Sequence, residues 1–438
     1  MVNRNLVIIS CLLLFSLGVF PKDKEKVHYS LSDIFALADQ NSHQLKVSQV
    51  GIEKADRAVR VAKDGKLPVI ESFLGGSYIG NQTLLSRGFA DASSVATPHW
   101  GNAMTLEIKQ SIYEGGSITG AITLGELESQ LARLQHEQNK QEVRFTLSSW
   151  YLSLCRLCNE EKIYLSSKHQ AEQLLEQMRA CFEQGTVLKS DVTRYRLYLK
   201  DIEIELEKIQ NQQTTLNYYL LTVTGLPSHI KIQPDESYPH TEAKVTGDTE
   251  WQQEVNLNSF RIKTARKEEA IFFQQIENAR SAKRPSIYLW ASESLQGPIV
   301  SAMPPINKNL NNWQLGVGLR FTISSFYTAN KKVRLHESAW RQSKENLQLT
   351  IDREQMEVNE AYLKWTESVN QLKVREEYKE LADENYEVVS ERYLNGLAIV
   401  TEMLDASTEQ LSAELKLANK RIEIYYNYSR LKKLAGLL

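Results

Sequence analysis

The sequence predicts a mainly α-helical protein with a small β part, laid out as two copies of one plan. Three observations predict it: matched residues recurring in order, very long stretches without helix breakers, and four short segments of alternating polarity. The chain has 438 residues, 24% of them charged, and a formal net charge of −2. That balance gives no electrostatic footprint for a nucleic-acid partner. The 42% hydrophobic content excludes wholesale disorder.

The chain opens with Arg4 and then an uncharged apolar run from Leu6 to Phe20, stopped by Pro21-Lys22-Asp23-Lys24. Such a run suits a signal-peptide core and is short for a spanning helix, so residues 1–18 are expected to be cleaved after Ser16-Leu17-Gly18. Cys11 loosely resembles a lipid-attachment site, but the apolar run continues well past it. Beyond Gly18 no apolar stretch is long enough for a transmembrane helix. Cys155, Cys158 and Cys181 are odd in number, which argues against a disulfide framework. Cys155-x-x-Cys158 lies in a helical pattern and reads as two small helix residues.

The repeat sets the organisation. Gly185 and Gly225 recur as Gly396 and Gly436 at the same mutual spacing. Tyr151-Leu152 recurs as Tyr362-Leu363, Trp100 as Trp313, Tyr113 as Phe326, and Pro68 as Pro285. Residues 19–225 and 250–438 form the two copies, joined by a linker, 226–249, that holds Pro227, Pro234, Pro239 and Gly247. Each copy reads helix, strand, loop, strand, very long helix, sharp break, helix.

Helices are expected over 31–64, 117–184 and 188–223, then over 250–283, 330–395 and 398–435. Apolar residues alternate at four and three, as in Tyr195, Leu199, Ile202, Leu206, Ile209, Gln213, Leu216, Leu220, Val223. Val358, Tyr362, Trp365, Val369, Leu372 follow the same spacing, as do Leu404, Thr408, Leu411, Leu415, Ala418, Ile422, Tyr425. Heptads of this kind mean coiled-coil packing. In each copy the two shorter helices together match the long one, each stack being about 100 Å at helical rise.

Strands are expected near 67–79, 100–112, 285–295 and 313–323. Trp313 to Ile323 alternates apolar with polar or small residues, and Met104, Leu106 and Ile108 alternate with Thr105, Glu107 and Lys109. Ten to twelve alternating residues cross a bilayer at a tilt, although a soluble amphipathic sheet alternates in the same way. Four strands are too few to close a barrel, so in lipid several chains would have to pool them. The connections, roughly 81–99 and 297–312, read as surface loops.

Readings as an enzyme find no support. The eight histidines never fall at helical metal-binding spacing, and Gly120 to Gly125 is followed by Glu126-Leu127 where a phosphate loop needs Lys and Ser or Thr. No catalytic residue, metal or cofactor is expected.

Over essentially the whole mature chain the sequence resembles the TolC-type outer-membrane efflux protein family. The resemblance is carried by the two-copy layout, the breaks Gly185-Thr-Val-Leu-Lys-Ser-Asp191 and Gly396-Leu-Ala-Ile-Val-Thr-Glu-Met-Leu-Asp405, and the turn Ile112-Tyr-Glu-Gly-Gly116. The second copy has Ser325-Phe-Tyr-Thr-Ala329 at that turn and lacks both glycines. The resemblance implies a homotrimer in the outer membrane with a twelve-stranded transmembrane β-barrel and an α-helical barrel reaching through the periplasm. It implies that the breaks (Gly185, Thr186, Val187 and Gly396, Leu397, Ala398) are periplasmic tips. There they would meet an adaptor protein linked to an inner-membrane pump.

Glu402 and Asp405 lie three apart and so share a helix face. In a trimer that face would set six carboxylates around a pore entrance, attracting cations. They match the family's acidic selectivity ring, with Glu402 where the family has Asp. The family's closing hydrogen bond maps to Tyr393 with Asp191. A second closing contact maps to Ala398 and Ser190, neither of which can supply its charge. The rival to an export duct is a periplasmic coiled-coil scaffold with a small soluble sheet and no pore.

Overall fold

The computed structural model describes residues 25–235 and 247–438. The expected signal peptide, with Cys11, lies outside the described residues, as does the middle of the 226–249 segment. No described helix is long and apolar enough to cross a membrane.

Long breaker-free stretches produce two very long helices, α3 (Ser117–Glu183) and α7 (Ser325–Leu394), of 67 and 70 residues, and α3 also runs through Gly120 and Gly125 near its start. The shorter return helices are α4 (Lys189–Thr224) and α8 (Val400–Leu434). The helix expected over 31–64 is two helices, α1 (Leu31–Asn41) and α2 (His43–Asp64). The one expected over 250–283 is likewise two, α5 (Asp248–Asn258) and α6 (Phe260–Ser281). A serine makes each break: Ser42 at φ −58, ψ 119 and Ser259 at φ −53, ψ 123. Neither glycine nor proline marks these positions. Ser259 is buried and its hydroxyl donates to Glu354 Oε2 at 2.7 Å, so the break is held from α7 and not by local sequence.

The chain divides into two compact units that cut across the repeat. The first comprises residues 25–46, 139–257 and 356–438 among those described, and the second 47–138 and 258–355. In the first, β1 (Glu25–Tyr29) and β6 (Ile230–Pro234) pair in parallel, one on each side of the first copy. Neither strand was expected, and β6 falls in the segment read as a linker. Side chains from α3 and α4 hold them. The Tyr151 hydroxyl donates to Tyr29 O and accepts from Asp235 N, both at 2.9 Å. Asn217 Nδ2 donates to Ile230 O at 2.9 Å, and its Oδ1 accepts from Ile232 N at 2.8 Å.

Beside this ribbon Ile34, Leu147, Leu154, Leu220 and Ile232 form one core. A second, built from Leu174, Met178, Tyr195, Ile202, Met403 and Ala406, joins α3, α4, α7 and α8. The α4 heptad face is buried as expected, through Tyr195, Ile202, Leu206, Ile209 and Gln213. In α8 the expected Ile422 is buried, but nearer the break the buried face is different: Met403, Ala406, Ser407 and Ala413 turn inward, while Thr408 is exposed and Leu404, Leu411 and Leu415 are half-covered. On α7, Val358 and Trp365 are buried but Val369 is not.

The second unit holds a four-stranded antiparallel sheet of β2 (Val69–Tyr78), β5 (Trp100–Glu114), β7 (Ser286–Gly297) and β8 (Leu310–Arg320), in that order. The last strand starts and ends three residues earlier than its alternation suggested, because a turn closed by Ser325 N to Thr322 O starts the approach to α7. The 81–99 loop contains a short hairpin, β3 (Gln82–Leu84) with β4 (Ser93–Val95).

Register gives the sheet two chemically distinct faces. Cross-strand neighbours Ile108, Ala291 and Leu315 share one face with Leu289 and Val317, with Ile287 and Leu319, and with Met104, Leu106 and Trp313; Gln110, beside Leu289, and Glu293, between Leu106 and Trp313, are polar members of the same face. Trp313, Leu315, Val317 and Leu319 are 75%, 74%, 72% and 70% exposed, a continuous bare apolar row. The other face carries Glu107, Lys109, Ser292, Ser294, Gln314 and Arg320. On this side Trp290 and Tyr288 lie over Gly316 and Gly318, where a Cβ would meet their rings at 2.8 and 2.3 Å. That explains the two glycines of the β8 alternation. Strands β2 and β8 are paired on one side only within the chain.

Candidate functional site: the two helix breaks

The two breaks are built alike. After α3, Gly185 adopts φ +80 and its N–H bonds Phe182 O at 2.9 Å, while Thr186 N bonds Cys181 O at 3.0 Å. After α7, Gly396 adopts φ +70 and bonds Tyr393 O at 3.0 Å, while Leu397 N bonds Arg392 O at 2.8 Å. Each pair of bonds satisfies the carbonyls that the ending helix leaves open, and the left-handed residue is glycine because a Cβ is strained there. Thr186 Oγ1 adds a bond to Cys181 O at 2.9 Å, and Arg392 reaches back to Leu397 O at 3.2 Å. Leu188 and Ile399 then precede α4 and α8 in extended conformation without a side-chain cap. Thr186, Leu397 and the apolar pair Leu188 and Ile399 are exposed; Val187 and Ala398 are half-buried.

Beyond the second break Glu402 and Asp405 lie on one exposed face of α8, flanked by buried Met403 and Ala406. Among the described residues neither carboxylate has a hydrogen bond or ion pair. Two unpartnered acids on one face can act on charges outside the chain.

Tyr393 is 6% exposed, and its hydroxyl has no hydrogen-bond partner among the described residues. The expected Tyr393–Asp191 hydrogen bond is therefore not made in this chain. Asp191 instead accepts from Ser190 Oγ at 3.2 Å and occupies the first turn of α4, where the helix dipole favours an acid. It is still near enough to be felt: burial first, then the Asp191 charge, push the Tyr393 phenol up to about 12.

Sequence reasoning missed the phenol cluster beside this tyrosine. Tyr195 Oη lies 3.3 Å from Ser407 Oγ, Tyr198 donates to Ser407 O at 3.3 Å, and the two rings are 5.5 Å apart. Burial raises both phenols and that of Tyr386. The available signal was Tyr195 at the head of the α4 heptad run; its partner on α8 is far off in sequence. Cys155, Cys158 and Cys181 form no disulfide among the described residues, and no described cluster of His, Cys, Asp and Glu could hold a metal.

A family model described as outer membrane efflux protein matches residues 35–226 and again 251–437. The chain belongs to the outer membrane efflux protein family. It is thus an outer-membrane channel and not an enzyme, and the two matched spans follow the two copies of the repeat. Among curated relatives, outer membrane protein TolC of Escherichia coli (strain K12) is 20% identical over 419 residues, covering 93% of this chain and 82% of that protein. Among solved structures, the outer-membrane channel OprN superposes with a TM-score of 0.79 at 16% identity, covering 93% of this chain and 89% of that one. The outer membrane protein VceC of Vibrio cholerae gives 0.77 at 15% identity, covering 93% and 96%. At such identity the structures speak for the fold of this efflux-family chain, and its residues must speak for themselves.

Proposed function

We propose that this channel works as a homotrimer, the passive exit duct of a tripartite efflux or secretion system. Three copies pool their four strands into one closed barrel in the outer membrane, and their helices enclose a path through the periplasm. The breaks at Gly185, Thr186 and Val187 and at Gly396, Leu397 and Ala398 meet a periplasmic adaptor, which connects the duct to an inner-membrane pump that supplies the work. The observation that carries this reading is the sheet: its edge strand β8 bears a bare apolar row from Trp313 to Leu319 on a mostly apolar face, and both edges are unpaired within the chain. Such a sheet cannot sit in hydrocarbon alone, because each open edge would strand backbone polar groups at several kcal/mol apiece. Copies of itself can supply the missing edges.

In this assembly Glu402 and Asp405 form an acidic ring at the periplasmic entrance, and Tyr393 with Asp191 belongs to the gate around it. Planar-bilayer recording tests the reading. Wild-type channels should conduct and be blocked by multivalent cations from the side bearing the ring, and Glu402→Ala with Asp405→Ala should weaken that block. Unchanged block removes these carboxylates from the pore. A purified protein that stays monomeric and never conducts, even with both acids replaced, removes the duct.

A further inference from the structure

At the helix-side end of the sheet the strand ladder is interrupted. Between Ser111 and Tyr113 the register of β5 against β7 shifts by one residue, inserting Ile112 as a bulge. Both Ile112 and Tyr113 are left outside, 58% and 43% exposed. A cavity of about 310 Å³ opens at this point, lined by Lys66, Ser111, Ile112, Tyr113, Glu114 and Thr119 among others. Its position relative to the bilayer follows from the ladder. Tyr113 pairs with Ile287, which pairs with Leu319, so Tyr113 ends the row that forms the apolar face. Two residues beyond it are the Gly115-Gly116 turn and the start of α3. The cavity therefore sits where the lipid-facing surface gives way to water.

Its chemistry is mixed in a particular way. Ile112 and Tyr113 offer an apolar wall with an aromatic, the residue class that favours the membrane–water boundary. Lys66 is exposed, and among the described residues its ammonium has no ion pair; only its backbone is engaged, its O accepting from Gln110 Nε2 at 2.9 Å. Glu114 is held on the same cavity by Ser111 Oγ at 2.7 Å and Ser117 Oγ at 3.4 Å, and it has no ion pair among the described residues. One unpaired cation, one fixed carboxylate and an apolar wall at the membrane boundary complement a headgroup that carries its own anion and cation.

We propose that this cavity binds the headgroup of an aminophospholipid of the periplasm-side leaflet. The lipid phosphate meets Lys66, its primary ammonium meets Glu114, and the first part of an acyl chain lies along Ile112 and Tyr113. The proposal rests on the membrane-embedded trimer of the preceding section. Its test is native mass spectrometry of full-length trimers released from nanodiscs of equal parts phosphatidylethanolamine and phosphatidylglycerol. Wild-type trimers should retain phosphatidylethanolamine over phosphatidylglycerol. Lys66→Glu, and Thr119→Trp to fill the cavity, should lower retention roughly tenfold, the equivalent of about 1.4 kcal/mol, and Lys66→Arg should preserve it. Glu114→Gln should abolish the headgroup preference while lipid is still retained. Equal retention of both lipids by wild type overturns the proposal, as does retention unmoved by Lys66→Glu and Thr119→Trp. Wild-type trimers that carry no lipid overturn it too, since a neighbouring subunit then fills the cavity. Conductance of the same preparations reports separately on the duct: trimers that conduct but show no lipid preference sink only the lipid site.

Discussion

The hydroxyl of Tyr393 is a buried polar group with nothing to bond, and such a group costs roughly 1–3 kcal/mol relative to one that is satisfied. Replacing it by Phe removes the cost and keeps the ring. Tyr393→Phe is therefore expected to leave thermal stability of the detergent-solubilised protein unchanged or to raise it by about 1 kcal/mol. A loss of that size would mean that the hydroxyl is bonded, to Asp191 as first expected, in the working assembly. The same side chain gives a pH dependence of definite sign. Its folded pKa, about 12, lies above that of an exposed phenol near 10, so its share of stability is complete below about pH 10 and is lost as pH rises toward 12. Absorbance titration at 295 nm should lose one late-titrating tyrosine in Tyr393→Phe; an unchanged upper limb would show that this phenol is not shifted. Glu402 and Asp405 were legible in the sequence because a spacing of three fixes a shared helix face whatever the tertiary structure. Ser407 was not, since its meaning comes from Tyr195 on another helix, and no local pattern announces that partner.

Among the elements, those governed by local rules were read from the sequence and those governed by distant partners were not. The helix ends at Gly185 and Gly396 were legible because only a residue tolerant of positive φ closes a helix in this way. Gly185→Ala and Gly396→Ala should each cost about 1 kcal/mol, measured by chemical denaturation, although nothing lies within contact distance of an added Cβ at either position. The empty surroundings make this a clean test of backbone strain: a neutral result would show that the left-handed turn is not the resting conformation. The break at Ser259 escaped notice for the opposite reason. Ser259 is set by Glu354, which is 2% exposed and also pairs with Arg261 at 3.0 Å. Glu354→Ala leaves a buried serine hydroxyl without this acceptor and Arg261 without this counter-ion. Because Arg261 is itself 42% exposed, the cost is put at about 2 kcal/mol, below that of breaking a fully buried pair. Hydrogen exchange should show the loss first at the α5–α6 junction. Protection unchanged there would mean that the break is held by something other than this acid.

For the molecule as a whole, the two-copy plan and the helical character were visible because periodicity survives divergence: heptads and period-two alternation depend on which residues are apolar and not on their identity. The β1–β6 ribbon was invisible, being two short strands at opposite ends of the first copy that only folding brings together. What the sheet alternation could not settle alone was whether its apolar face meets lipid or protein. Two neighbouring positions of β8 separate the cases. Leu315 is 74% exposed in the apolar row, opposite Ala291, and Gln314 lies on the other face, opposite Ser292. If the face is in hydrocarbon, Leu315→Lys places a charge near the middle of the bilayer at about 2–4 kcal/mol per copy, and Gln314→Lys places one in a water-filled interior at little cost. Three copies multiply the penalty, so Leu315→Lys should cut the yield of membrane-inserted trimer severely while Gln314→Lys assembles and shifts only the ion preference of the open channel. Heat-modifiable mobility on gels gives the first readout and single-channel current the second. Equal assembly of the two variants would place the row against water or protein. It would remove the reason for pooling strands among copies, and with it the closed barrel that the duct requires.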